Sequence, residues 1–187
     1  MKNRIFLGTG NAGKRKEMLF YLKHFNIFQT FETLTPLDFK NLSEPIENGV
    51  TFEDNAKLKS NFFYEATKIL SLSDDSGLMV DKLDGYPGIK TARAAKELGG
   101  EQKVIDYIFS KFENETHLKA TFHCSIALIG NDKKLICSGK VKGSIIPANR
   151  GNSGFGYDPF FIKENNSKTF AEMEKKKKMI MSHRFNA

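Results

Sequence analysis

Nothing in the chain stays apolar for the ~18 consecutive residues that a membrane span needs, so no membrane partner is expected. The opening Met1-Lys2-Asn3-Arg4, followed by Ile5-Phe6-Leu7, is too short an apolar stretch for a signal peptide. A cytoplasmic location is expected. Cysteine is scarce: Cys124 and Cys137 are the only two, both in strand-like apolar runs. Without an export signal, that predicts two buried reduced thiols and no disulfide. Internal repeats and long linkers are also missing. The chain of 187 residues is therefore expected to form one domain, residues 1–187, around one sizeable core.

What is present is charge. Apolar residues make 40% and charged residues 27% of the chain, the balance of a globular protein. Lys and Arg exceed Asp and Glu by seven, which points to a polyanionic partner or to a lysine-rich surface that keeps the protein in solution. Part of the excess is the run Lys175–Lys178. No RNA-binding signature with interleaved aromatics accompanies it, so the charge alone decides nothing, although no nucleic-acid partner is expected. A nucleoside triphosphate is the other polyanion to consider.

Residues 4–8 read as a short buried strand. Residues 11–25 read as a helix, with Met18, Leu19, Leu22 and Phe25 at helical spacing. A loop follows from Pro36 to Gly49. Thr51 opens a second helix, with Asp54 three residues on as in a capping box. Leu58, Phe62, Ala66 and Ile69 form its expected buried stripe, to about Leu70. Residues 73–77 read as a tight polar turn before a strand at 78–80. Residues 101–112 read as a helix. Two long strands are expected at 119–129 and 134–146, joined by Asn131-Asp132 as a hairpin. Residues 149–158 are glycine-rich, a short strand follows at 159–162, and Thr169 with Glu172 forms a second capping pattern. The sum is one α/β or α+β unit with a mixed sheet.

Gly8-Thr9-Gly10-Asn11-Ala12-Gly13-Lys14 lies between a strand and a helix start, where free backbone N–H groups and the helix dipole favour an anion. The string matches GxGxxG, but the acid wanted about twenty residues on is only Glu32, in a weak strand. It matches the P-loop except at Arg15, where a Ser or Thr must bind Mg²⁺. A third reading places Asn11, Lys14 and Glu17 on one helical face, for phosphate and metal. A solvated helix start would look the same. Adjacent Asp74 and Asp75 repel, so at least one wants a cation or a proton. Mg²⁺ bridging carboxylate and phosphate oxygens meets that need, and an ordinary turn accounts for the acids equally. Glu44 and Glu47 are further candidate ligands. In the glycine-rich loop, Phe155 and Tyr157 offer rings and Asp158 an acceptor for a stacked base. His183 and Arg184 supply donors near the end of the chain, and a Ser182–His183 nucleophile pair is disfavoured because nothing orients the histidine.

Together these segments resemble the inosine triphosphate pyrophosphatases, also called dITP/XTP pyrophosphatases. The resemblance rests on seven motifs in order: residues 9–14, 47–56, 74–78, 87–93, 154–159, 169–173 and 182–184. It implies an α/β fold with an elongated mixed, twisted sheet flanked by helices, in two lobes with a central substrate cleft. It also implies a homodimer, and Mg²⁺-dependent cleavage of ITP, dITP and XTP between the α and β phosphates. On this resemblance Thr9, Gly10, Asn11, Ala12, Gly13 and Lys14 hold the triphosphate. Asp75 is proton acceptor and metal ligand beside Asp74, with Glu47 or a neighbouring acid as second ligand. Ser76 touches substrate, while Phe155, Gly156, Tyr157, Asp158, Lys178, His183 and Arg184 hold the base. The chain departs from the family pattern at Lys90, where tyrosine is usual, and at Lys177 and Met179 on either side of Lys178. Two rivals stand beside this reading: a nucleotide- or RNA-binding module, and a Rossmann-type dehydrogenase.

Overall fold

A computed structural model describes residues 3–187; Met1 and Lys2, the start of the N-terminal stretch, lie outside it, as does the side chain of Phe28. In chain order the elements are β1 (Asn3–Leu7), α1 (Ala12–His24), β2 (Phe31–Leu34), α2 (Phe52–Thr67), β3 (Leu70–Val80), α3 (Thr91–Leu98), α4 (Glu101–Phe109), β4 (Leu118–Ile129), β5 (Lys134–Ile145), β6 (Phe161–Lys163), α5 (Lys175–Ile180) and α6 (His183–Asn186). The strands form one mixed sheet in the order β2-β1-β3-β4-β5-β6. β1 runs parallel to both β2 and β3, with Ile5 opposite Thr33 on one side and Leu70 on the other. β6 closes the far edge antiparallel to β5. This is the α/β arrangement with a mixed sheet that the sequence predicts. Among the described residues, no helix is long and apolar enough to cross a membrane.

Two compact units divide the chain. One holds the residues up to Asp75 together with Cys124–Ser138, and the other holds Ser76–His123 and Gly139–Asn186. In the first unit Phe6 is fully buried, its ring against those of Phe39 and Phe63, while Leu7, Met18 and Leu22 form a separate buried cluster. The second has the larger core. Val104, Ile105 and Ile108 of α4 pack there with Leu118, Ala120 and Phe122 of β4, whose alternate residues point inward as a strand requires.

The helix caps follow the sequence closely. Asn11 caps α1 by accepting from Lys14 N at 3.0 Å, and Thr51 caps α2 by accepting from Asp54 N at 3.0 Å. The Thr169–Glu172 box is present too, but it heads a short 3₁₀ turn and not the lysine-rich helix.

Four expectations are corrected. Helix α2 ends at Thr67, and it buries Phe52, Asn55, Ala56, Lys59, Ser60 and Phe63. Its apolar stripe faces outward: Leu58 is 38% exposed, and with Phe62, Ala66, Pro45 and Ile46 it lines a surface groove of about 570 Å³. Residues 73–77 are no turn, because β3 runs unbroken from Leu70 to Val80 with both aspartates buried in its middle. Helix α3 has no counterpart among the expected elements; its apolar stripe, Ala94, Ala95 and Leu98, is short and mostly of small side chains, and only Ala94 is buried. Cys124 is buried and Cys137 exposed, both as free thiols.

Candidate active site

In the first unit the phosphate-loop candidate is built on the β1–α1 junction. Thr9 is buried, and its Oγ1 accepts from Asn11 N at 3.2 Å, which shapes the turn into the helix. Asn11 spends its side-chain oxygen on the cap. Asn11 and Ala12 are exposed and Gly13 half-buried, so the N-terminus of α1 opens to solvent with its dipole unopposed by any acid in the first turn. A Cβ at Gly10 would meet the Glu44 carboxylate. Glu44 therefore sits against this loop. Of the helical trio, Lys14 reaches inward to the acids, while Glu17 is buried at 2% exposure.

Asp74 and Asp75 do not act as one repelling pair. Successive strand residues point to opposite faces, and each carboxylate has its own lysine. Lys14 Nζ lies 3.3 Å from Asp74 Oδ2, which also accepts from the Cys124 thiol at 3.8 Å. Lys59 Nζ lies 3.4 Å from Asp75 Oδ1, and Asn55 Nδ2 donates to Asp75 Oδ2 at 3.0 Å. The same Asn55 amide accepts from Gly49 N at 2.8 Å, so it ties the 47–49 loop to the β3 acid. Glu47 from that loop accepts from Lys59 Nζ at 2.9 Å.

Burial pushes the Asp75 carboxyl above the ordinary aspartate range, and Lys59 and Lys14 offset this only in part. Burial alone would lower the Lys59 ammonium, but Asp75, Asp74 and Glu47 outweigh it and hold the proton on more firmly than usual. The cluster is a buried acid, raised in proton affinity, flanked by two lysine ammoniums.

Oxygen donors alone suit a hard cation such as Mg²⁺. Among the described residues no three acidic, histidine or cysteine side chains gather as a metal cage. Two carboxylate oxygens, Glu47 Oε1 and Asp75 Oδ1, do converge on one cation, the Lys59 ammonium. That donor set fits Mg²⁺, which keeps several waters and shares its remaining positions with phosphate.

The second unit gathers the residues expected at the base. Gly154, at φ +81°, leaves room for the Asp158 carboxylate, which a Cβ would strike. Asp158 Oδ2 accepts from Phe155 N at 2.9 Å and from Lys178 Nζ at 2.9 Å. That ammonium lies over the Phe155 ring at 5.0 Å and the Phe170 ring at 5.7 Å. His183 stacks on Phe122 at 4.7 Å, and Arg184 Nη2 donates to Ser76 Oγ at 3.0 Å. Tyr157 packs into the core of this unit, while Phe155 is half-buried beneath the Lys178 ammonium. Ser182 accepts from Phe185 N as the cap of α6, a structural role and not a nucleophilic one.

A family model described as the Ham1 family matches residues 5–187. The chain belongs to the Ham1 family. It is 39% identical to the dITP/XTP pyrophosphatase of Vibrio parahaemolyticus, over 98% of this chain and 92% of that protein. With the protein of the same name from Lactobacillus acidophilus it shares 37%, over 100% of this chain and 94% of the other. Among solved structures it is similar to the Ham1 protein of Staphylococcus aureus, with a TM-score of 0.83 at 34% identity over 99% and 94% of the two chains. It also resembles a HAM1 protein of Coxiella burnetii, at 0.81 and 31% over 98% and 93%.

Within this Ham1 chain, sequence reasoning missed Asn55 and Lys59. The signal was present: Asn55, Lys59 and Ser60 are polar at i, i+4 and i+5, one face of α2. An apolar-stripe criterion passes over such a face because a site needs polar side chains buried. Glu32, the acid a dinucleotide fingerprint would need, is exposed and paired with Arg4 at 3.1 Å.

Proposed function

We propose that this protein is a nucleoside triphosphate pyrophosphatase that cleaves nonstandard purine nucleoside triphosphates (ITP, dITP and XTP) to the monophosphate and pyrophosphate with Mg²⁺, cleansing the nucleotide pool. The observation that carries this reading is the buried Lys14–Asp74 and Lys59–Asp75–Glu47 cluster beside the open N-terminus of α1, in a chain of the Ham1 family. Curated relatives of this chain bear the name dITP/XTP pyrophosphatase.

The roles follow from charge. Phosphoryl transfer is mainly positioning and electrostatics, because charge spreads over the phosphoryl oxygens in the transition state. The backbone N–H groups at the start of α1 and the Lys14 ammonium bind those oxygens. Glu47 and Asp75 would hold Mg²⁺, which supplies further charge neutralisation on the phosphates when bound. Asp75, the buried carboxylate of this cluster, accepts the proton of the attacking water. As the water oxygen joins phosphorus, the α–β bridging bond breaks and pyrophosphate leaves.

The second unit's residues serve the base. Phe155 offers a ring face, and Lys178, His183 and Arg184 offer donors. Inosine and xanthosine carry a 6-oxo acceptor where adenine carries a 6-amino donor. Donors fixed in a buried setting reward the first and reject the second, because the wrong base leaves them unpaired.

A panel of ITP, dITP, XTP, GTP and ATP with Mg²⁺, followed by pyrophosphate release, tests this. The expected result is kcat/KM highest for the nonstandard purines, by roughly 100-fold or more over ATP. Equal rates across the panel would remove the substrate assignment.

A further inference from the structure

Glu47 and Asp75 are the two acids proposed to hold Mg²⁺, and the role assigned here to their neighbour Lys59 rests on that reading. One cation already lies between them. Lys59 Nζ is 2.9 Å from Glu47 Oε1 and 3.4 Å from Asp75 Oδ1, on a side chain only 8% exposed. Its position is fixed from several sides. Lys59 stands four residues after Asn55 on α2, so the two side chains share a face. Asn55 holds Asp75 Oδ2, which turns Oδ1 toward the ammonium. Gly49 N anchors Asn55 in turn, and the loop carrying Glu47 is drawn to the same point.

A buried ammonium and a divalent ion on these two carboxylates repel each other and compete for the same oxygens. Mg²⁺ binds carboxylate oxygen at about 2.0–2.1 Å, which would bring it close against Lys59 Nζ in surroundings that screen charge poorly. We propose that Lys59 is a resident counter-cation that competes with divalent metal for Glu47 and Asp75. In the metal-free protein it neutralises the acids and keeps the Glu47 loop and β3 assembled. Divalent binding has to displace it, so this one side chain makes metal binding to the free protein weak. Lys14 makes its ion pair with Asp74 and does not stand between the two acids.

Direct binding of Mn²⁺ to the full chain without nucleotide, followed by the EPR signal of the free ion, tests the proposal. Removing a like charge from the site is expected to tighten Mn²⁺ binding by at least ~10-fold in Lys59→Met. Lys59→Gln, which is uncharged but still donates to the carboxylates, should bind more tightly than wild type as well. It keeps the test open where the methionine variant folds poorly. Thermal unfolding supplies a second readout: in EDTA Lys59→Met should melt below wild type, and Mn²⁺ should raise its Tm by more than it raises that of wild type. Glu47→Gln should weaken Mn²⁺ binding in either background. If both Lys59 variants bind Mn²⁺ no better than wild type while Glu47→Gln still weakens binding, the competition is wrong and the metal assignment stands. If Glu47→Gln leaves Mn²⁺ binding unchanged, the metal assignment itself fails and takes the proposal with it.

Discussion

Asp75→Asn is expected to lower kcat for ITP by about 10²–10⁴-fold, the contribution of a positioned general base, while ITP still binds. The substitution keeps the size of the side chain and removes its charge. Asn55 can still donate to an oxygen at this position, and Lys59 retains Glu47 as a partner. The local frame should therefore hold while the proton acceptor is lost. Equilibrium binding of ITP to the variant, set beside its turnover, separates the two effects. Activity within about tenfold of wild type, less than ~1.4 kcal/mol of barrier, would show that another group takes the proton.

The second large effect concerns the choice of base. Arg184 is 2% exposed, and its guanidinium donates to Ser76 Oγ, one residue beyond Asp75 on β3. If the remaining donors of its fork meet the 6-oxo group, Arg184→Ala should lower kcat/KM for ITP far more than for ATP. A lost charge-assisted hydrogen bond is worth roughly 1.5–3 kcal/mol, or about ten- to a hundredfold. Any loss from the broken Ser76 contact or from a phosphate contact falls on both substrates alike, so the ratio of the two effects isolates base reading. An equal fall for ITP and ATP would end that role for Arg184 and leave the loop from Phe155 to Asp158 as the selector.

How far the sequence carried these assignments differs by element. β4 and β5 were legible to within a residue or so because they alternate strongly and flank a polar turn. Thr51 was legible because a cap needs a short oxygen-bearing side chain at one position, whereas Asn11 was read as the first helical residue and in fact caps α1. Helix α2 misled for a reason tied to function. Its buried face carries Asn55, Lys59 and Ser60, while Leu58 and Phe62 line a surface groove, so hydrophobic periodicity marks the wrong side. The aspartates of β3 misled in the same way. Asp-Asp-Ser-Gly is turn chemistry by local preference, and only long-range partners (Lys14, Lys59 and Asn55) make it tolerable inside a strand. Those partners come from helices far off in sequence, which no local pattern can supply. Tyr157 shows the converse: its ring was expected at the base, but it fills the core of its unit.

The proposed reaction breaks the α–β phosphoanhydride bond. Turnover of ITP with Mg²⁺, followed by ³¹P NMR of the phosphorus-containing products, tests it most directly. IMP and pyrophosphate in equal amounts, with no IDP at any time, is the result the site chemistry predicts. Orthophosphate released from the start while IDP accumulates would place the cut at the β–γ bond and contradict the account.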